Sequence, residues 1–292
     1  MTQPLLITGA TGTLGQAFQR ACRIRGLPAL VLNRAALDIA DAGSVAQALG
    51  QHQPWAVVNA AGYVRVDDAE TDAATCYREN TTGARRLAEA CATHGIQLLT
   101  FSSDLVFDGR ATAPYLESSL PNPLNVYGRS KMLAEQAVLA ALPTALVVRT
   151  SAFFSAWDEH NFVHHALAAV RQGQEFEAAH DLFVTPTYVP DLVNTALDLL
   201  LDRAHGLWHL ANQGTYSWVE LARLACQVAG LDDSLIMPRP TADFEWAAPR
   251  PRYTALGSTH GALLPSVESG LQRYLADEQL LQSAHPPAIL VG

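Results

Sequence analysis

The 292-residue chain is predicted to form a doubly wound parallel α/β sheet with a smaller C-terminal lobe. Short aliphatic and β-branched runs alternate with helical stretches of ten or more residues in the first half, which is typical of parallel strands joined by crossover helices. Glycines follow the first such run directly and open the first helix. After residue 151 the alternation loosens, and four prolines interrupt the chain: Pro238, Pro240, Pro249 and Pro251.

Each element follows from its hydrophobic pattern. The strands are predicted at 4–10, 28–33, 55–61, 96–103 and 144–151, and a strand at 207–211 is expected to return to the sheet. The helices are predicted at 13–26, 41–52, 71–95, after the Pro-rich loop 108–124, and near 161–172, 190–203 and 217–229. The dinucleotide-binding (Rossmann) domain is then 1–151 with returning segments near 177–212, and the substrate lobe is 152–176 with 213–292.

The composition limits the classes of protein to consider. A net charge of -9 without a basic stripe argues against nucleic-acid binding, and no apolar run is long enough to span a membrane. The N-terminus has neither the basic region nor the apolar region of a signal peptide. The four cysteines form no CxxC pair, so buried thiols in a reducing compartment are expected. These features predict a cytoplasmic protein whose partner is a small molecule.

Gly9, Gly12 and Gly15 lie between the first strand and the first helix, in the spacing GxxGxxG. Glycines at this place permit a tight turn and a close approach of the backbone to a diphosphate at the helix N-terminus. The alternative is a turn with a purely structural role. The position in an alternating α/β chain favours dinucleotide binding.

The end of the second strand indicates which dinucleotide binds. An acidic residue there would bind the ribose hydroxyls of NAD, but the chain has Asn33 and Arg34. A guanidinium at this place suits a 2′-phosphate, so NADP(H) is preferred and NAD(H) stays possible. The alternative is a solvated arginine at a strand end. Asp38 and Ile39 are expected to flank the adenine.

Polar side chains with catalytic potential follow the fourth strand and begin the next helix. Ser103 and Asp104 lie at the strand end, and Tyr127 and Lys131 are four residues apart on one helix face. An ammonium group close to the phenol is expected to lower the tyrosine pKa, and the serine hydroxyl can bind a carbonyl oxygen. This set predicts hydride transfer to a carbonyl, with Tyr127 as general acid.

The chain also resembles the extended short-chain dehydrogenases/reductases and, within them, the dTDP-4-dehydrorhamnose reductases. The resemblance covers nearly the whole chain and rests on motifs that include "ITGATGTLG", "FSSDLVFDG", "PLNVYGRSK" and "TPTYVPDLV". It implies a Ser103, Tyr127 and Lys131 triad, with Lys131 also holding the nicotinamide ribose. The implied activity is NAD(P)H-dependent reduction of the 4-keto group of a nucleotide-linked 6-deoxysugar, and a homodimer is possible.

The fingerprint and the resemblance together predict two sets of binding residues. The cofactor site is predicted to comprise Gly9, Thr11, Gly12, Thr13, Leu14, Gly15, Asn33, Arg34, Asp38, Ile39, Ala60, Ala61, Gly62, Tyr127 and Lys131. The substrate site is predicted to comprise Ser103, Asp104, Ala152, Asn161 and Arg250. For Arg250, a place near the diphosphate and a place in a proline-stiffened surface loop are both open.

Three positions depart from the usual pattern of the family. Leu105 stands where a tyrosine is usual, Ala152 where a tryptophan is usual, and Val64 where a threonine is usual. These changes predict a more apolar substrate pocket beside intact cofactor and proton-transfer residues. A different, more apolar ketone is therefore one alternative substrate. A non-catalytic, dinucleotide-binding regulatory subunit is the alternative from another class of protein.

Two further features are interpreted as structural. His160 and His164 are four residues apart, but the His-Glu-x-x-His order of zinc proteases is absent, so no metal is expected. Trp218 and Glu220 begin a helix and are predicted to pack the lobe and cap that helix.

Overall fold

The computed structural model describes residues 3–262 and 264–284. The strands are β1 (Leu5–Thr8), β2 (Ala29–Leu32), β3 (Ala56–Asn59), β4 (Gln97–Ser103), β5 (Leu146–Thr150), β6 (Phe153–Phe154), β7 (Phe176–Ala179), β8 (Phe183–Val184), β9 (Thr187–Tyr188), β10 (Gly206–His209), β11 (Tyr216–Ser217) and β12 (Ile236–Arg239). The α-helices are α1 (Thr13–Ile24), α2 (Ala42–His52), α3 (Ala73–Tyr77), α4 (Ala84–His94), α5 (Val126–Ala141), α6 (Phe162–Arg171), α7 (Val189–Leu201), α8 (Trp218–Ala229) and α9 (Val267–Ala284).

The central sheet has six strands in the order β10-β5-β4-β3-β1-β2, and all neighbours are parallel. One face packs against α1 and α7, and the other packs against α2, α4 and α5. The chain reverses direction across the sheet between β1 and β3, and such a reversal opens a crevice at the carboxyl ends of the strands. The predicted doubly wound fold is confirmed.

The first-half elements lie where the sequence predicts them, with one exception. The predicted helix 71–95 is divided, because a π-helical stretch, Arg78–Gly83, separates α3 from α4. The side-chain amide of Asn80 accepts the Tyr63 N–H at 2.8 Å and donates to the Tyr63 carbonyl at 3.1 Å. These bonds hold the helix against the loop after β3 and account for the local change of helical pitch.

The C-terminal part has more regular structure than the sequence predicts. The segment 207–211 does return to the sheet, as β10 beside β5. Three short strand pairs, β6 with β9, β7 with β12 and β8 with β11, were not predicted, and neither was α9. Leu271 and Tyr274 bury α9 against Phe154 and Tyr188. Residues 285–292 of the predicted lobe lie outside the described residues, and the division into two domains stays a prediction.

A buried network of polar side chains joins β5, α5 and the edge strand β10. Arg149 forms a bidentate pair with Glu135, at 2.8 and 2.6 Å, and its third nitrogen lies 3.3 Å from His209 Nε2. The other ring nitrogen of His209 faces the carbonyl oxygens of Gly257 and Tyr115, at 2.7 and 3.2 Å. Carbonyls only accept, so Nδ1 carries the proton and Nε2 accepts from Arg149. The ring is therefore neutral.

Burial lowers the pKa of His209 below 6.5, and Arg149 lowers it further while Glu117 opposes the change. At a pH just below 6.5 the unfolded chain therefore binds a proton at His209 that the folded chain does not bind. We expect the stability that this site contributes to be complete above pH 6.5 and to be lost as the pH falls below that value, by at most about 1.4 kcal/mol per pH unit.

Urea unfolding at a series of pH values from neutral to mildly acidic measures this effect. The His209→Gln variant should show a smaller loss of stability on acidification than the wild type. His94→Gln changes an exposed histidine at the end of α4 and should keep the wild-type slope. An unchanged slope in His209→Gln would contradict the assignment of a neutral, buried ring.

Candidate active site

A cavity of about 780 Å³ opens at the carboxyl ends of β3, β4 and β5. Its inner wall includes residues that end or follow these strands, and its outer wall comes from the C-terminal part of the chain. The aromatic residues of the outer wall are Phe162, Phe176, Trp218, Phe244 and Trp246. This is the edge of a doubly wound sheet at which ligands bind.

The surroundings of the three glycines after β1 differ, and so does the reason for a glycine at each position. Gly9 has a φ of 74°, and a Cβ there would lie 2.5 Å from the Ala60 carbonyl oxygen. A Cβ on Gly15 would lie 2.1 Å from the Gly9 carbonyl oxygen, so the fold itself requires both glycines. Gly12 precedes α1 with a φ of -82°, and a Cβ there would meet no atom closer than 3.5 Å. The space at Gly12 therefore fits a diphosphate at the N-terminus of α1.

The other residues predicted around the glycine turn divide into two groups. Leu14, Ala60, Ala61 and Gly62 line the cavity. Thr11 lies in the turn, Thr13 begins α1, and the Thr13 hydroxyl donates to Asp158 Oδ2 at 2.7 Å. The loop that carries Asp158 thus lies next to the turn, a contact that the sequence did not predict.

Asn33 and Arg34, predicted at the ribose 2′-position, follow β2 directly, and Asp38 and Ile39, predicted to flank the adenine, lie a few positions further on. The Leu32 carbonyl accepts the Ala10 N–H at 3.2 Å, so this strand end abuts the glycine turn. Arg34 is exposed and forms an ion pair with Glu79. Asp38 is paired with Arg78 at 2.6 Å. Ile39 is buried in the core, where its side chain packs against Gly83.

Ser103, Tyr127 and Lys131 all line the same cavity. Asn125 caps α5 by accepting the Gly128 N–H at 2.7 Å, which fixes the start of the helix. A Cβ on Gly128 would lie 2.1 Å from the Leu105 carbonyl oxygen. The glycine therefore lets the first turn of α5 pack directly on the chain after β4, and that contact brings Tyr127 to the side of Ser103.

The protonation of this group differs from the sequence prediction. Burial raises the pKa of Tyr127, Asp104 raises it further, and the Ser103 hydroxyl offsets part of the rise. The pKa of Tyr127 is thus raised and not lowered as predicted, because burial outweighs the effect of the Lys131 ammonium, whose Nζ lies 5.8 Å from the ring centroid. Burial also lowers the pKa of Lys131 to about 8. The phenol thus keeps its proton at neutral pH, as a general acid must.

The rarity of lysine in the sequence is a further signal that points to Lys131. The chain has 19 lysines and arginines, of which 18 are arginine, so Lys131 is its single lysine. Its Nζ donates to the Phe101 carbonyl at 3.2 Å and has no carboxylate partner among the described residues, since Glu135 is bound to Arg149. A guanidinium stays charged at any working pH, whereas a buried ammonium shifts its pKa readily.

Asp104 is fully buried between the two parts of the chain. Its carboxyl group accepts hydrogen bonds from Ser103 Oγ at 3.1 Å, Ser151 Oγ at 2.8 Å and Thr254 Oγ1 at 2.6 Å. Burial raises the pKa of Asp104 despite these three bonds. The residue was predicted to contact substrate, and the structure places it on the cavity wall. Its partners Ser151 and Thr254 were not predicted.

The remaining predicted substrate residues have different surroundings. Ala152 lines the cavity with a φ of 42°, a left-handed conformation that is uncommon for a residue with a side chain. Asn161 is buried and caps α6, accepting the His164 N–H at 2.9 Å and donating to the Ser155 carbonyl at 3.0 Å. Its side-chain amide thus forms these hydrogen bonds with backbone groups.

Arg250 lines the cavity, so the proposed surface-loop position is not what the structure shows. The guanidinium is paired with Asp67 at 2.6 Å and lies 5.2 Å from the centre of the Trp246 ring. Leu105 and Val64 also line the cavity, and they add apolar surface near Ala152.

The two features interpreted as structural are placed as follows. Ser217 and Glu220 form a capping box at the start of α8, which confirms the capping role of Glu220. Trp218 packs against Phe162, with ring centroids 4.6 Å apart, and it also lines the cavity. His160 and His165 line the cavity too. Among the residues that the structure describes, no group of three or more His, Cys, Asp or Glu side chains is arranged to hold a metal ion.

The chain was compared with known proteins. A family model described as the RmlD substrate binding domain matches residues 2–279. The chain belongs to this family. A relative from Streptomyces antibioticus, the probable dTDP-4,6-dihydroxy-2-methyloxan-3-one 4-ketoreductase, is 35% identical over 97% of each chain. The dTDP-4-dehydrorhamnose reductase of Mycobacterium tuberculosis is 36% identical over 90% of this chain and 87% of its own.

A solved structure gives the same result. The dTDP-4-dehydrorhamnose reductase of Bacillus anthracis str. Ames, in complex with NADP, superposes with a TM-score of 0.90 and 30% identity. The match covers 95% of this chain and 100% of that one. The predicted membership of the extended short-chain dehydrogenases/reductases is confirmed, and this RmlD-family chain is an NAD(P)-dependent oxidoreductase of that type. Within residues 3–262 and 264–284, no helix combines the length and the apolar character needed to cross a bilayer.

Proposed function

We propose that the protein reduces the 4-keto group of a nucleotide-linked 6-deoxysugar and prefers NADPH as the reductant. The observation that carries the proposal is the meeting of Ser103, Tyr127 and Lys131 in one cavity, which Leu14 of α1 also lines. The printed names of the relatives, which are reductases of dTDP-linked keto sugars, support the same substrate class.

The reaction follows from what each side chain can do. Tyr127 donates its proton to the keto oxygen as that oxygen gains negative charge, and the raised pKa means that the phenol is protonated beforehand. The Ser103 hydroxyl, which donates to Asp104 in the free protein, turns its proton to the same oxygen when the substrate binds. Lys131, with two of its three donors still available beyond the Phe101 carbonyl, holds the ribose hydroxyls beside the nicotinamide. The nicotinamide, when bound, supplies the hydride.

The substrate is oriented by the outer wall. The guanidinium of Arg250 suits the oxygens of a sugar-linked diphosphate, and it is held in place by Asp67 and Trp246. The cavity volume of about 780 Å³ accommodates a ligand larger than a monosaccharide. We assign this wall to a substrate lobe formed by 152–176 and 213–284, which faces the dinucleotide-binding domain.

The preference for NADPH rests on Arg34, the exposed cation at the end of β2. A guanidinium can donate two parallel hydrogen bonds to two oxygens of one phosphate group. A free ribose hydroxyl has a single oxygen and cannot accept both bonds in this way. NADH is expected to serve as a weaker reductant.

A second candidate is a more apolar ketone, because Leu105, Ala152 and Val64 line the pocket. A regulatory subunit without catalysis is less well supported, since the three catalytic side chains and the cavity between them are all present.

Turnover measured with matched ketones tests the proposal. Purified protein and NADPH are combined with a dTDP-linked 4-keto-6-deoxysugar, with the same keto sugar lacking the nucleotide, and with simple cyclic ketones, and NADPH oxidation is followed. We expect oxidation with the nucleotide-linked sugar alone. Faster oxidation with the cyclic ketones would favour the second candidate. No oxidation with any ketone, while NADPH binds, would contradict the proposed function.

A further inference from the structure

Four charged side chains meet beyond the end of β2: Arg34, Asp38, Arg78 and Glu79. Arg34 is paired with Glu79, and Arg78 is paired with Asp38 at 2.6 Å. The hydrogen bond from Arg78 is the main cause that lowers the pKa of Asp38, and the charge of Arg34 adds to it. The four groups therefore act on one another, and their formal charges cancel.

The cluster lies where the adenosine ribose of a dinucleotide is expected. The hydrogen bond from Ala10 to the Leu32 carbonyl, at 3.2 Å, holds the end of β2 against the glycine turn. In doubly wound folds the ribose hydroxyls of the adenosine half lie at the end of the second strand. A 2′-phosphate at this place meets Arg34, and it also meets the two carboxylates that neutralise the cluster.

Glu79 and Arg34 differ in how firmly they are held. The side chain of Arg34 is 61% exposed, whereas that of Glu79 is 13% exposed. Glu79 belongs to the π-helical stretch, which Asn80 anchors through its bonds to Tyr63 and, at 2.9 Å, to Ser130 Oγ. The carboxylate is thus the enclosed member of the pair, and the guanidinium is the member open to a ligand.

We propose that Glu79 determines cofactor specificity by competing with the 2′-phosphate for the guanidinium of Arg34. The inference rests on the proposed function, because it requires the dinucleotide site. When NADPH binds, the phosphate must displace a carboxylate that already satisfies Arg34, and it must tolerate that negative charge nearby. NADH has no such group and leaves the pair intact. Glu79 therefore reduces the preference that Arg34 alone would give.

The nucleotides 2′,5′-ADP and 5′-ADP test this directly, since they differ only by the 2′-phosphate and need no catalysis. Calorimetry on the full chain compares the wild type with Glu79→Gln, which keeps the shape of the side chain and removes its charge. We expect 2′,5′-ADP to bind about five- to tenfold more tightly to the variant, as one repulsion between charges at a partly exposed site is removed. Binding of 5′-ADP should change by less than about twofold, and the gain should shrink with added salt.

Two further variants serve as controls. Glu89→Gln breaks an exposed ion pair away from the cluster, Arg85 with Glu89 at 2.6 Å on helix α4, and should change neither affinity. In the double variant Arg34→Ala with Glu79→Gln, the gain for 2′,5′-ADP should disappear, because the competition needs the guanidinium.

Unchanged or weaker binding of 2′,5′-ADP to Glu79→Gln would overturn the proposal, as would a gain that persists without Arg34. An equal gain for both nucleotides would also overturn it, since it would reflect general charge rather than competition. A wild type that binds neither nucleotide would instead contradict the dinucleotide site on which the proposed function depends.

Discussion

The Tyr127→Phe variant is expected to lose about 10³-fold in kcat while its affinity for NADPH stays close to that of the wild type. In the proposed reaction the phenol gives its proton to the keto oxygen, and burial keeps it protonated beforehand. Phenylalanine preserves the ring and its packing but removes the proton. Steady-state kinetics and nucleotide binding, measured on the same preparation, separate the two effects.

A matched variant controls for the loss of a buried hydroxyl. The hydroxyl of Tyr274 is buried in the lobe and has no hydrogen-bond partner among the described residues. Tyr274→Phe should therefore leave both kcat and stability close to the wild type. A Tyr127→Phe variant that retains more than about a tenth of the wild-type kcat would exclude Tyr127 as the general acid.

Replacing Gly128 with alanine is expected to damage the site through geometry alone. The new Cβ would stand 2.1 Å from the Leu105 carbonyl oxygen, and both partners of this clash are backbone. Either α5 or the chain after β4 must move, which separates Tyr127 from Ser103. We expect a loss of about 1–3 kcal/mol in the free energy of unfolding and of about 10²-fold in kcat.

The matched control is Gly50→Ala, which makes the same change in the interior of α2. A Cβ on Gly50 would meet no atom within 4 Å. This variant should be more stable than the wild type by about 0.5–1 kcal/mol, because alanine favours a helix over glycine. Urea unfolding and kcat are measured for both. A Gly128→Ala variant with normal stability and activity would show that the contact with Leu105 does not position the helix.

The sequence alone predicts the parts of the structure that depend on local patterns. The five first-half strands, the glycine turn and the Tyr127 helix follow from hydrophobic period and turn chemistry. The three short strand pairs and α9 were missed, because pairing and packing with distant segments stabilise them. The same limit applies to the site. Ser103 was identified from its strand, but the bonds of Asp104 with Ser151 and Thr254 link residues far apart in sequence.

The pKa of Tyr127 shows a second limit of prediction from the sequence. Spacing places Lys131 one helical turn away, and from spacing alone an ammonium should lower the tyrosine pKa. Spacing cannot show how deeply the two groups are buried, and burial is the largest cause of the shift in each of them. The prediction of cofactor preference has the same limit, since the sequence shows Arg34 but not its pairing with Glu79.

Isotope transfer tests the central claim most directly. NADPH carrying deuterium at the transferable position of the nicotinamide is incubated with the protein and a dTDP-linked 4-keto-6-deoxysugar, and the product sugar is examined by NMR spectroscopy and mass spectrometry. The account predicts deuterium at C4 of the sugar with the wild type and none above background with Tyr127→Phe. Deuterium at another carbon, or a sugar that remains unlabelled while the wild type binds both ligands, would contradict it.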